Sequence, residues 1–290
     1  MPAPRVAAIH DLSGFGRCSL TIVIPALSAM GIQCCPLPTA YLSTHTGGFE
    51  GNTFLDMTDQ MAPVSAHWQS LGLRFDAIYT GFMGSREQIA LSGEFIRAFR
   101  REGTIAVVDP VLGDHGRAYR TCTPEMCRGM VELAELADVI TPNRTEAALL
   151  LGADYGAVRL DSEAACTLWA ERLSLGGRRS VVLTGASPRP DRAGAAFFDR
   201  ATGKTGLVCA PLAPGQFHGT GDLFASVLTG ALVRGSSLPE AARLAADFTA
   251  LAARRTAEQD IPRREGVDFE PLLGVLGAMT APEERGGGPR

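Results

Sequence analysis

TIAVVDPVLGD occupies residues 104–114. Ile105, Ala106, Val107 and Val108 form a short, unbroken apolar run rich in β-branched side chains. Such a run predicts a strand covered on both faces, the kind found in parallel sheets. Two carboxylates, Asp109 and Asp114, follow it, with Pro110 and Gly113 shaping the turn between them.

The same alternation continues outward in both directions. Upstream, residues 85–101 read as an amphipathic helix with Ile89, Phe95, Ile96 and Phe99 on one face, and 75–80 as a strand. Strands at 6–9 and 32–38 flank a helix at 17–30, and a further helix spans 56–71. Downstream, a helix at 124–137 precedes a strand at 138–141. Helices at 143–151 and 162–175 end at Gly152 and at the pair Gly176 and Gly177. A strand at 180–184 is followed by 193–199 and 205–210, a hairpin turning near Thr202 and Gly203. Helices at 220–234, 239–256 and 269–279 complete the chain. Strands alternating with helices define an α/β fold with a mostly parallel sheet covered on both faces. One domain is expected over residues 1–281, with the polar, Gly/Pro-rich stretch 282–290 as a disordered tail.

Composition narrows the function classes. At 46% hydrophobic and 20% charged residues, the 290-residue chain is no disordered polymer. A net charge of −4 without a basic run speaks against capture of nucleic acid or an acidic membrane. Neither a secretory signal nor an apolar run long enough to span a bilayer is visible, so a cytoplasmic protein is expected. The seven cysteines are irregularly spaced and contain no CxxC pair, which excludes a zinc ribbon and predicts reduced thiols. The five histidines show no metal-ligand spacing.

In parallel sheets, ligands sit outside the carboxyl ends of the strands, so the segments after each strand carry the chemistry. HDLSGFGR at 10–17 holds Gly14 and Gly16, but the third position of a dinucleotide fingerprint is Ser19. A tight turn and a ligand loop both remain open there. STHTGG at 43–48 reads either as a surface turn or as a flexible hydroxyl-rich substrate loop. Asp109 and Asp114 stabilise a turn or hold Mg²⁺, directly or through water. Asn143 and Glu146 fit a capping box, yet oxygens at i and i+3 also share one helix face. Thr184 and Gly185 follow the SVVLT strand and are weak candidates to border a nucleotide. Gly203, Lys204 and Thr205 mimic the end of a P-loop, but the required upstream glycine is Phe198.

FHGTGDLFA at 217–225 is the most informative of these segments. Gly219 and Gly221 open an apolar helix whose first N–H groups make an anion site, reinforced by the helix dipole. Asp222 in the first turn either favours that dipole or acts as a base. A carboxylate beside an anion hole can take a proton from an attacking alcohol while the N–H groups hold a migrating phosphoryl group.

Together, DPVLGD (109–114), TPNRTE (141–146) and GTGDLFA (219–225), in this order and separation, resemble the ribokinase-like superfamily. HDLSGFGRCSL and STHTGG further resemble its pyridoxal/pyridoxamine kinase branch, and the resemblance spans roughly residues 6–256. It implies a Rossmann-like, three-layer αβα sandwich with a small β lid, and a homodimer. The implied reaction is ATP- and Mg²⁺-dependent phosphorylation of the 5′-hydroxymethyl group of a vitamin B6 vitamer, with K⁺ as an auxiliary cation. By the same resemblance Asp222 matches the catalytic base, and Gly219, Thr220 and Gly221 match the anion hole. Asp109, Asp114, Asn143 and Glu146 match the Mg-ATP group, with Asp109, Asp114 and Glu146 on the metal. Thr141, Thr184 and Gly185 match nucleotide contacts, and Asp11, Ser13, Thr46 and Gly47 match the substrate side.

One departure stands out: many pyridoxal kinases carry Ser where this chain has Asp11, which suggests a preference for pyridoxamine or pyridoxine over pyridoxal. The HGTG stretch also fits the hydroxymethylpyrimidine kinases, which commonly place Cys where this chain has Asp222. Sugar kinases share GxGD, but their N-terminal Gly-Gly and Asn signature is missing. A non-catalytic vitamer-binding protein would have no use for Asp222 or for the glycines before it.

Overall fold

The computed structural model describes residues 2–280. The expected tail at 282–290 lies outside the described residues. Strands are β1 Arg5–Phe15, β2 Gln33–Thr44, β3 Phe54–Asp56, β4 Ala77–Thr80, β5 Ile105–Val108, β6 Gly113–Asp114, β7 Arg117–Ala118, β8 Val139–Ile140, β9 Ser180–Thr184, β10 Arg192–Asp199 and β11 Lys204–Pro211. Helices are α1 Leu20–Ala29, α2 Thr58–Ser70, α3 Arg86–Phe99, α4 Pro124–Glu135, α5 Arg144–Leu151, α6 Glu163–Leu173, α7 Thr220–Val233, α8 Leu238–Ala257 and α9 Leu273–Thr280.

A nine-stranded sheet runs β11-β10-β9-β8-β5-β4-β1-β2-β3. Neighbours from β9 through to β2 are parallel, while β3, β10 and β11 pair antiparallel at the two ends. Strand periodicity assigns the layers. Val6 and Ala8 face one side with α1, α7 and α8; Ala7 and Ile9 face the other with α3, α4 and α6. Each fully buried Val or Ile is worth about 1.5–3 kcal/mol against about 1 kcal/mol for a helix cap, so this two-sided burial decides the architecture. The α/β, three-layer αβα expectation is met. No helix of the described residues is long and apolar enough to cross a membrane.

Strand lengths differ from the sequence reading. β1 and β2 pair well past residues 9 and 38, to Phe15↔Thr44, with an irregularity between His10 and Leu12. Beyond it they form, with β3, a flap carrying exposed Phe15, Tyr41, Phe54 and Leu55. Polar and glycine residues here read as loop by propensity; pairing with a neighbouring strand overrides that. The helix expected from residue 17 starts at Leu20, because Ser19 takes φ 48° just before it. The hairpin at β10–β11 turns where expected, through the amide of Gly203 bonded to the Asp199 carbonyl.

Candidate active site

The carboxyl ends of β5, β8 and β9 open into a cleft of about 510 Å³, closed on one side by the start of α7. Asp109 and Asp114 reach it after β5, Thr141 and Asn143 after β8, and Thr184 and Gly185 at β9. Glu146 joins from α5, and Gly219, Thr220, Gly221 and Asp222 from α7. Segments spread over more than a hundred residues therefore meet because parallel strands end on one edge.

At α7, Gly219 is the N-cap with φ 80° and ψ −2°, and no side chain caps the helix. The first intrahelical bond is the Leu223 amide to the Gly219 carbonyl. The amides of Thr220, Gly221 and Asp222 are thus left without a helical acceptor, aimed outward with the positive end of the dipole. A β-carbon at Gly219 would collide with the Arg17 carbonyl oxygen and lie 2.5 Å from Ile22 Cδ1. Glycine is required there by both conformation and space.

Asp222 is surrounded by protein yet keeps part of its surface open to the cleft. Burial pushes its carboxyl up to about 7; the Ser19 amide opposes this and the Asp11 charge adds to it. Asp109, 8% exposed, is also raised by burial and by the Asp222 charge, against a 2.9 Å hydrogen bond donated by the Thr141 hydroxyl. Two carboxylates raised chiefly by burial, at the mouth of an anion site, make a candidate acid–base centre.

Asn143 and Glu146 do form the capping box. The Asn143 side chain accepts from the Thr145 and Glu146 amides, and its Nδ2 donates to the Gly113 carbonyl at 2.8 Å. Glu146 accepts the Asn143 amide at 2.8 Å and the Leu112 amide at 3.2 Å, so each carboxylate oxygen is already engaged. Asp114 is exposed and accepts the His115 amide at 2.7 Å. Among the described residues no three His, Cys, Asp or Glu side chains converge on a common metal position. Asp109, Asp114 and Glu146 share the cleft without converging on one point.

Asp11, Ser13, Thr46 and Gly47 do not line this cleft. Asp11 and Ser13 lie on β1, not in a loop, and both are buried. The Ser19 hydroxyl donates to one Asp11 oxygen and the Ser13 hydroxyl to the other, at 3.3 Å. Asp11 therefore holds Ser19, whose amide faces Asp222. Thr46 is exposed in the loop after β2. Gly47 packs against His218, the residue before the anion-hole glycine; a β-carbon at Gly47 would lie 2.5 Å from its Cε1. His45 anchors this loop, its Nε2–H donating to the Arg264 carbonyl at 2.7 Å while Nδ1 accepts the Gly47 amide at 3.1 Å.

The sequence reading missed several cleft residues. Thr249, Ala250 and Ala253 of α8 and Leu212 beyond β11 make an apolar wall, and the buried Thr249 hydroxyl has no partner. Their types carry no local signal of a ligand. Tyr119 enters just after the β6–β7 hairpin, too short for a periodic pattern, while His115 and His218 reach the cleft as their sequence positions suggest. Buried His10 has no partner at either ring nitrogen, and burial lowers it to about 3, so the ring is neutral.

The parallel α/β fold and a cleft edged by an uncapped helix start are those of a kinase of the ribokinase-like class. The chain belongs to the phosphomethylpyrimidine kinase family, whose model matches residues 24–264. It is 30% identical over 270 residues to a pyridoxine/pyridoxal/pyridoxamine kinase of Bordetella avium, covering 87% of this chain and 86% of the relative. A Bacteroides thetaiotaomicron protein described as a phosphomethylpyrimidine kinase, in a crystal form with pyridoxal, is 42% identical. Its TM-score is 0.88 over 94% of this chain and 96% of that one. Pyridoxal kinase from Lactobacillus plantarum is 33% identical with TM-score 0.85, over 95% and 97% of the two chains.

Proposed function

We propose that the chain transfers the terminal phosphoryl group of ATP to the 5′-hydroxymethyl group of a vitamin B6 vitamer, pyridoxamine, pyridoxal or pyridoxine. The observation that carries this reading is Asp222 in the first turn of an uncapped helix, with free amides beside it and a carboxyl raised to about 7. In this reading Asp222 takes the hydroxymethyl proton as the oxygen attacks. The amides of Thr220, Gly221 and Asp222 steady the charge on the transferring group. Thr141, Thr184 and Gly185 border the nucleotide, with Thr249 and Ala253 behind it.

Mg²⁺ commonly keeps several waters and binds through one or two carboxylates plus phosphates. The donor set fits that mode: one Asp109 oxygen is free of hydrogen bonds, Asp114 is exposed, and Glu146 is held by two amides. When bound, the ion would offset phosphate charge; Asp109 and Asp114 would hold it, with Asn143 and Glu146 keeping the β6–β7 hairpin in place. The reading carries with it the homodimer that the resemblance implies, with the apolar flap residues Phe15, Tyr41, Phe54 and Leu55 as the surface a partner copy would cover, and the cytoplasmic location expected from the sequence. K⁺ belongs in the assay for the same reason.

The second reading, hydroxymethylpyrimidine phosphorylation, is favoured by the family model. ATP consumption with Mg²⁺ and K⁺, measured in parallel on the three vitamers and hydroxymethylpyrimidine, separates the two. Turnover on a vitamer at least tenfold above the pyrimidine is expected; turnover confined to the pyrimidine overturns the proposal.

We further propose that Asp11 influences vitamer choice, now through Ser19 and its own charge. Asp11→Ser should change the ranking of kcat/KM among the vitamers by a few-fold. An unchanged ranking would restrict Asp11 to holding Ser19.

A further inference from the structure

Thr123 caps α4 by accepting the Met126 amide, and Pro124 follows at the first helical position. Cys122 therefore stands just before the cap and Cys127 four residues into the helix. These are the two positions whose side chains meet in a hydrophobic staple. Here both are cysteines, with sulfurs 3.0 Å apart. Both are half-buried and pack on the edge of the core. Among the described residues no other cysteine pair comes within hydrogen-bond distance. Cys34 and Cys35 are adjacent in sequence, but they lie on a strand and face opposite core clusters.

The pair is wired to the cleft. The Cys122 amide donates to the Tyr119 carbonyl at 2.8 Å, and the Tyr119 amide to the Leu112 carbonyl at 2.9 Å. The Leu112 amide donates to Glu146 at 3.2 Å. Tyr119 and Glu146 both line the cleft. We propose that Cys122 and Cys127 are a reversible dithiol–disulfide site, and that closing the disulfide alters how the Tyr119 wall receives the nucleotide.

The oxidant is a low-molecular-weight disulfide such as oxidised glutathione. One cysteine thiolate attacks it, forming a mixed disulfide and releasing one reduced thiol. The second cysteine loses its proton to solvent and displaces the other thiol, closing the intramolecular bond. Two thiols are oxidised and one small disulfide is reduced to two thiols. Burial, the Cys127 sulfur and the Glu146 charge raise the Cys122 thiol to about 12, so the exchange is slow and calls for long equilibration instead of a brief pulse.

Arg120 and Arg128 bracket both cysteines, so trypsin releases them in one peptide, TCTPEMCR. The full chain is equilibrated overnight with oxidised and reduced glutathione near pH 8, quenched, alkylated and digested. The expected peptide is unalkylated and two hydrogens lighter, and dithiothreitol restores it. Cys122→Ser and Cys127→Ser should each give only a glutathione adduct. A wild-type peptide that keeps both thiols, or carries glutathione alone, overturns the site. This mass readout stands independently of the proposed activity. The link to the cleft rests on the kinase reading: the oxidised enzyme should show an ATP KM shifted at least twofold, with the vitamer KM unmoved and Cys122→Ser insensitive. An oxidised enzyme with unchanged ATP KM overturns the link.

Discussion

Asp222→Asn should lower kcat by about 10²–10⁴-fold, the usual worth of a positioned base, while ATP binding measured by calorimetry stays near wild type. Near-normal turnover would reject Asp222 as the base. Wild-type kcat/KM should also rise with pH through about 7, where Asp222 ionises, and level off above it. Below that point it should fall about tenfold per pH unit, because only the ionised carboxylate accepts a proton. The same substitution should stabilise the fold. Asp222 is raised from 3.8 to about 7, so the folded state holds its proton more tightly than the unfolded chain does. Its contribution is favourable below about pH 4 and is lost as pH rises through about 7. Asn carries no such charge. Melting temperatures should therefore favour Asp222→Asn at pH 8, with the gap closing toward pH 4. A variant less stable than wild type at pH 8 would mean the carboxylate is structural.

Gly219→Ala should cost both stability and activity. A left-handed φ costs a non-glycine residue about 1–2 kcal/mol, and overpacking typically adds about 1–3 kcal/mol. At about 2–4 °C per kcal/mol for a chain of this size class, the melting temperature should drop by about 10 °C. Turnover should fall at least about 100-fold, because α7 cannot stay seated against Arg17 and its amides move off target. Gly221→Ala provides the contrast. Gly221 has no heavy atom within 4 Å of an added β-carbon and lacks a positive φ. Its melting temperature should change by no more than about 2 °C, in the range of surface substitutions. Turnover should still fall at least about tenfold, since the methyl group sits among the phosphoryl-holding amides. Equal stability losses in the two variants would refute this division between a structural and a functional glycine.

Much of the cleft could be read from residue order. Asp109, Thr141, Asn143 and Thr184 each sit at the end of a strand, and strands that run parallel deliver their ends to one edge. Asp222 was legible because glycines before an apolar helix leave amides unpaired. The cleft wall from α8 was not: Thr249, Ala250 and Ala253 are ordinary residues of an amphipathic helix, and only packing turns them toward the site. Asp11 reads as a loop residue for a related reason, although it lies on β1. A polar stretch with glycines resembles a loop until its pairing partner is known, and β2 supplies that partner out to Thr44.

By itself, then, the amino-acid order determined the layered α/β architecture, the family motifs and the anion-binding helix start, since these follow from periodicity and local backbone chemistry. Tertiary structure alone decided four things. It decided that β1 and β2 extend into a flap, that serines occupy both Asp11 oxygens, that the three carboxylates share a cleft without converging, and that Cys122 and Cys127 touch. Each depends on which segments pack together, and hydrogen-bond partners and sulfur contacts brought in from other elements leave no mark in local sequence.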